Sequence, residues 1–241
     1  LFICDSNKIT DAMKINMLIY GLLISLFSFT DKNKRKYDDG YFLYEFHIAE
    51  NNDKVDLQRG IQFYWYDYDK IKSSIYGIKG KVLNGSYVKS ILETNMIIEE
   101  GKFVYGKKEG NWKKWDSQGN LERVEFWKEG LRNGLCEIYN EEGKVSLRGS
   151  YDKGVKTGKW ENNFNKTKII RTWKRGVLNG SYKEYENEVL IKKGRYRKGE
   201  KEGLWIDFKA KSRKKYKKGK LINANVETFW ERLFEEPKDS I

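Results

Sequence analysis

The chain of 241 residues contains one proline, one histidine and two cysteines. Two cysteines, Cys4 and Cys136, cannot form a disulfide framework. A single histidine excludes a two-histidine metal site and most histidine-dependent catalysis. That residue, His47, falls opposite the aromatic face of its strand and reads as a surface side chain. No G-x-S-x-G, Walker loop or C-x-x-C occurs in the sequence. The carboxylates Glu125, Glu137, Glu184 and Asp207 are scattered over strand surfaces, with no spacing that singles out an acid/base couple. The sequence thus predicts no catalytic residues, no cofactor and no metal ligands.

Long apolar runs are equally scarce. The one such run, Ile15 to Phe29, follows Met13 and Lys14 and precedes the charged stretch DKNKRK. Fifteen residues suit the hydrophobic region of an export signal and are short for a membrane-spanning helix. We expect Met13 to be the true start, residues 1–30 to be a leader cleaved after Thr30, and the protein to be exported to a periplasm, a cell surface or the medium. The alternatives are a membrane anchor over residues 15–29, or a buried segment of a cytoplasmic protein.

Aromatic residues are abundant, at 15 % of the chain, and glycine occurs 22 times. A disordered chain would lack the aromatics, so this one folds. Tyr and Trp with regularly placed Gly and almost no Pro favour strands and tight turns. The glycines are periodic. A G-x3-G pair recurs as Gly106/Gly110, Gly130/Gly134, Gly154/Gly158, Gly176/Gly180 and Gly199/Gly203, with Gly85 before and Gly219 after. Three residues before each first Gly stands an aromatic: Phe103, Trp127, Tyr151, Trp173, Tyr196 and Tyr216. Two residues after the second Gly come Tyr87, Trp112, Cys136, Trp160, Tyr182 and Trp205. Five after it come Trp115, Tyr139, Tyr185 and Phe208, an odd offset that requires either a bulge or aromatics on both faces.

The hexapeptide VLNGSY occurs twice in this pattern, at Val82–Tyr87 and Val177–Tyr182. We read each unit as one β-hairpin, with the glycine pair, and hence both hexapeptides, as the connection between adjacent hairpins. One such hairpin is unstable alone, and stacking builds a continuous ladder. The predicted fold is all-β, an elongated twisted antiparallel sheet of stacked hairpins. Residues 76–222 form the array, and 37–75 form degenerate hairpins that extend it. Residues 223–241 carry a short capping helix, whose stripe of Val226, Phe229, Trp230, Leu233 and Phe234 is expected to pack near Trp205, Phe208 and Tyr216.

The pattern [FWY]-x-x-G-x-x-x-G-x-[WY]-x-x-[YWF] resembles the MORN repeat, in the variant form found in bacterial proteins. The match covers about three-fifths of the chain, with Lys81 in place of a Gly and Cys136 in place of an aromatic. The resemblance implies a sheet with one hairpin per repeat. Bacterial chains with the variant repeat are often labelled as antitoxin components, and eukaryotic relatives are linked to phospholipid and to protein scaffolding.

The formal charge is +13, and between Ile191 and Lys220 stand 14 Lys or Arg against 3 Asp or Glu. Lys192, Arg195, Arg197, Lys211, Arg213, Lys215 and Lys217 are therefore the candidate surface for an anion or an acidic partner. Partners of this kind are another protein, an acidic envelope component or an anionic membrane surface. The interleaved aromatics occupy core slots of the repeat, which argues against specific nucleic acid. The leading reading is a non-catalytic exported binding protein. The runner-up is an antitoxin-like or immunity-like protein holding a cognate toxin. An enzyme acting on envelope polymers comes third, since no motif supports it.

Overall fold

The computed structural model describes residues 31–224. The chain divides after Lys34 into two compact units, and all but the first four described residues belong to the second. The expected leader and the expected C-terminal helix both lie outside the described residues. Among the described residues there is no helix long and apolar enough to cross a membrane.

The described residues form one open, antiparallel sheet of 17 strands. In chain order these are β1 (Lys34–Asp38), β2 (Phe42–Ile48), β3 (Phe63–Asp67), β4 (Lys70–Ser74), β5 (Lys81–Ile91), β6 (Ile97–Val104), β7 (Lys107–Trp115), β8 (Leu121–Lys128) and β9 (Leu131–Tyr139). They continue as β10 (Val145–Asp152), β11 (Val155–Phe164), β12 (Thr167–Lys174), β13 (Val177–Glu186), β14 (Val189–Arg197), β15 (Glu200–Asp207), β16 (Ser212–Lys217) and β17 (Lys220–Ala224). From β5 onward every strand pairs with its successor, as a ladder of stacked hairpins requires.

The first glycine of each pair makes a turn. Tyr105–Gly106, Glu129–Gly130, Lys153–Gly154, Arg175–Gly176, Lys198–Gly199 and Lys218–Gly219 are two-residue loops with positive φ at both positions. That is the type I′ geometry, whose twist matches the flanking strands. The second glycine is not part of the connection, contrary to the sequence expectation. Gly85, Gly110, Gly134, Gly158, Gly180 and Gly203 lie inside strands, each with positive φ. There the ladder is irregular, three residues facing one on the partner strand. The two VLNGSY copies therefore sit within β5 and β13, and Gly85 and Gly180 share a φ of 132°.

Two bulges alternate along the array. In one, Asn84–Ser86, Asn133–Leu135 and Asn179–Ser181 are skipped opposite His47, Phe126 and Thr172. In the other, Gly110–Trp112, Gly158–Trp160 and Gly203–Trp205 are skipped opposite Gly101, Gly149 and Gly194. The structural repeat is consequently two hairpins, and the identical hexapeptides occupy the same bulge two such repeats apart.

The N-terminal hairpins depart from expectation. β1 pairs with β2 and β2 with β5, so a β1–β2 hairpin joins the ladder, while residues 49–62, between β2 and β3, form no strand. β3 pairs with β4 and with Lys81 and Val82 of β5. The β3–β4 hairpin thus leaves the ladder, and its tyrosines lie against it, Tyr64 4.9 Å from Phe103 and Tyr66 5.2 Å from Phe46 between ring centroids. The cause is in β3 itself, whose residues FYWYD are apolar toward both faces. Phe63 and Trp65 are buried on one side while the tyrosines pack on the other. A strand buried on both faces needs a layer on each.

Candidate binding face

The second-Gly-plus-two residues line up across the strands in one row. Register pairs run Phe46–Tyr87–Gly101, Trp112–Glu125–Cys136–Gly149, Trp160–Arg171–Tyr182–Gly194 and Trp205–Lys214–Ala224. The indoles of Trp112, Trp160 and Trp205 cover Gly101, Gly149 and Gly194 and thereby join these segments. Cys136 is buried in this row, in the place of an aromatic, and burial pushes its thiol pKa up.

The aromatics preceding the turns lie on the same face. Tyr151 meets Trp160 at 5.1 Å, Tyr196 meets Trp205 at 5.1 Å, and Phe103 meets Trp112 at 4.9 Å. The plus-five aromatics are on the other face. Trp115 has Lys113 over its ring and Tyr139 donates its hydroxyl to Glu137, both of them residues of that other face. Both faces therefore carry aromatics, which answers the question left by the odd offset.

A third set completes the aromatic face. The central residue of each G-x3-G is Lys108, Arg132, Lys156, Leu178 or Lys201. Lys108 Nζ lies 3.7 Å from the Trp112 ring centroid, Lys156 Nζ 4.2 Å from Trp160 and Lys201 Nζ 4.6 Å from Trp205. Arg132 sits between Trp127 and Tyr151 at 5.3 and 5.5 Å. These are cation–π distances. Where Leu178 breaks the series, Arg171 of the adjacent strand lies 5.8 Å over Tyr182. The cation stems shield the rings. Sequence reasoning missed this ladder, although its signal was the basic residue centred between each pair of glycines.

Charge is uneven along the ladder. In β6–β9, Glu99 approaches Lys108 at 3.2 Å, and buried Glu125 approaches Arg132 at 2.8 Å and Arg123 at 3.6 Å. Burial still holds the Lys108 pKa below that of an ordinary lysine, with Glu99 opposing the shift. Burial also raises the Tyr64 pKa, and Glu99 adds to it. Farther on, Lys156, Arg171, Lys201 and Lys214 have no carboxylate within ion-pair distance among the described residues, while Lys192 reaches Asp207 at 3.1 Å. The described residues hold no group of three or more His, Cys, Asp or Glu that could bind a metal.

The seven basic residues expected to act together are split between the faces. Lys192 shares the aromatic face with Glu184 and Asp207. By strand alternation Arg195, Arg197, Arg213, Lys215 and Lys217 point to the opposite face, and Lys211 sits in the turn before β16. No family model matches the chain, and no curated protein matches it.

Proposed function

We propose that this chain is a non-catalytic, exported binding protein whose working surface is the aromatic–cation face of its MORN-like hairpin array. The partner is an acidic protein surface or an acidic envelope component. The observation that carries this reading is the run of Lys156, Arg171, Lys201 and Lys214 on one face, none of them within ion-pair distance of a carboxylate among the described residues, beside a floor of shielded rings. Trp160, Trp205 and Tyr182 are at most 8 % exposed, so nucleic-acid bases find no open ring to stack on. Such a surface attracts polyanions by charge and without sequence preference, and the attraction weakens as salt rises.

Titration of the full chain with inorganic polyphosphate at several salt concentrations tests this reading. Paired charge reversal Lys201→Glu with Lys214→Glu should weaken binding about tenfold or more. Reversal of Arg195 and Lys215, on the opposite face, should weaken it less. Equal losses from both faces would reject the aromatic face as the working surface. N-terminal sequencing of protein from the native cell tests export, for which a mature start near Asp31 is required.

A further inference from the structure

One groove on the aromatic face differs from the rest of the array. Its volume is about 270 Å³, and Tyr64 of the folded-over β3 strand helps to close it against Trp112 and Trp127. Its charged lining includes Lys108, Arg123 and Arg132 against Glu99 and Glu125. The groove also collects unsatisfied donors. Four buried side-chain nitrogens of its lining make no hydrogen bond: Trp112 Nε1, Trp127 Nε1, Arg123 Nε and Arg132 Nε.

Arg132 Nε lies 2.8 Å from Glu125 Oε1, so its defect is only that the N–H is misaimed. The indole N–H groups of Trp112 and Trp127 make no hydrogen bond or ion pair of any kind. The equivalent Trp160 Nε1 donates to the carbonyls of Ser150 and Thr157 at 3.1 Å, and Trp205 Nε1 donates to Arg195 O at 3.2 Å. Trp112 occupies the same place over its glycine yet has no acceptor. Buried donors without acceptors are costly and rare, and the three left in this groove call for an acceptor-bearing group from outside the chain.

We propose that this groove binds an oxyanion, a carboxylate or a phosphate, carried on a ligand about the size of one sugar ring. The indole N–H groups of Trp112 and Trp127 and the Arg123 guanidinium supply donors, and Lys108 supplies charge. Glu99 and Glu125 stay with their own cations and hold them in place, and they are free to accept hydroxyl hydrogens from the ring. Donors to an oxyanion form charge-assisted bonds, stronger than those to neutral oxygen. The proposal deepens the reading above and rests on it, in that the aromatic face is the working surface.

The test uses the full chain labelled with ¹⁵N, in which eight tryptophans give eight indole N–H signals. Glucuronate and glucose 1-phosphate are the acidic probes, and glucose is the neutral one. Either acid should move the Trp112 and Trp127 signals and leave those of Trp160 and Trp205 in place, and glucose should move none of the four. A shift with only one acid identifies the headgroup. No shift with either acid, or an equal shift with glucose, overturns the proposal.

Trp127→Phe keeps an aromatic ring and removes one donor, and should weaken acid binding about tenfold. Should that variant fail to fold, Arg123→Lys removes an Nε donor with the charge kept and should weaken binding in the same direction. The paired reversal at Lys201 and Lys214 should leave the titration unchanged. If it abolishes the shifts, the acid is read by the whole face, so the groove proposal fails while the proposed function stands. If the groove responds but polyphosphate ignores that reversal, the failure belongs to the extended-face reading.

Discussion

The indole of Trp160 lies across Gly149, so close that a methyl group at residue 149 would overlap the ring. The ring is held there by the indole N–H, shared between Ser150 O and Thr157 O, and by Tyr151 edge-on at 5.1 Å. Trp112 on Gly101 and Trp205 on Gly194 repeat the arrangement. Among the described residues no second layer covers Trp160 or Trp205, and these rings are buried against the backbone of their own sheet instead.

Gly149→Ala should therefore cost roughly 1–3 kcal/mol, the usual range for overpacking a filled site. Gly77→Ala is the control, because Gly77 has open space around it and no positive φ. Denaturant midpoints with Trp fluorescence distinguish the two. Equal midpoints for both variants would mean that Trp160 moves aside freely.

Stability should fall in strong alkali, and Tyr87 should be one cause. Tyr87 is buried, and burial raises its hydroxyl pKa well above the ordinary value of 10.0, with Glu99 adding to the shift. Above that ordinary value the unfolded chain releases the proton while the folded chain still holds it. The unfolded state then binds fewer protons, so the stability of folding drops as pH rises. Tyr87→Phe removes this contribution, and its urea midpoint should decline less than that of the parent between about pH 9 and pH 11. Other tyrosines with raised pKa values, among them Tyr44 and Tyr182, keep the decline from vanishing. Parallel declines in parent and variant would rule out a role for Tyr87.

The hairpin ladder was legible because its turns are chemically emphatic. A glycine ending each two-residue loop and an aromatic three positions earlier recur in every unit, and the strands fall where those marks place them. The alternation of bulges was not read, although residue types mark it. Asn84, Asn133 and Asn179 precede the glycine in one bulge, and Glu109, Thr157 and Glu202 precede it in the other. A strict period of two fails across a bulge, so the faces on either side could not be assigned from sequence. That hid the pairing of Lys156 with Trp160, four positions apart. It also let seven basic residues read as one patch when the strands divide them. The β3–β4 hairpin turns on Tyr68–Asp69, with no glycine to mark it, and packing on both of its faces takes it out of the ladder.

The gap at Leu178 offers a direct test of the cation ladder. At the equivalent position Lys156 covers Trp160, while Leu178 leaves Tyr182 to Arg171 on the neighbouring strand. Arg171→Met should remove the cation and keep most of the packing, costing about 0.5–1 kcal/mol. Leu178→Lys alone should give little or no gain, since its ammonium would face Arg171 across the same ring. Combined with Arg171→Met, the new lysine has the ring to itself and should recover most of the loss. The expected sign is thus a double variant more stable than the sum of the single changes, a coupling that neighbouring residues show and distant ones do not. Chemical denaturation of the four proteins measures it. Strict additivity would show that Arg171 stabilises the sheet by something other than the ring beneath it, and the cation ladder would then be an accident of spacing.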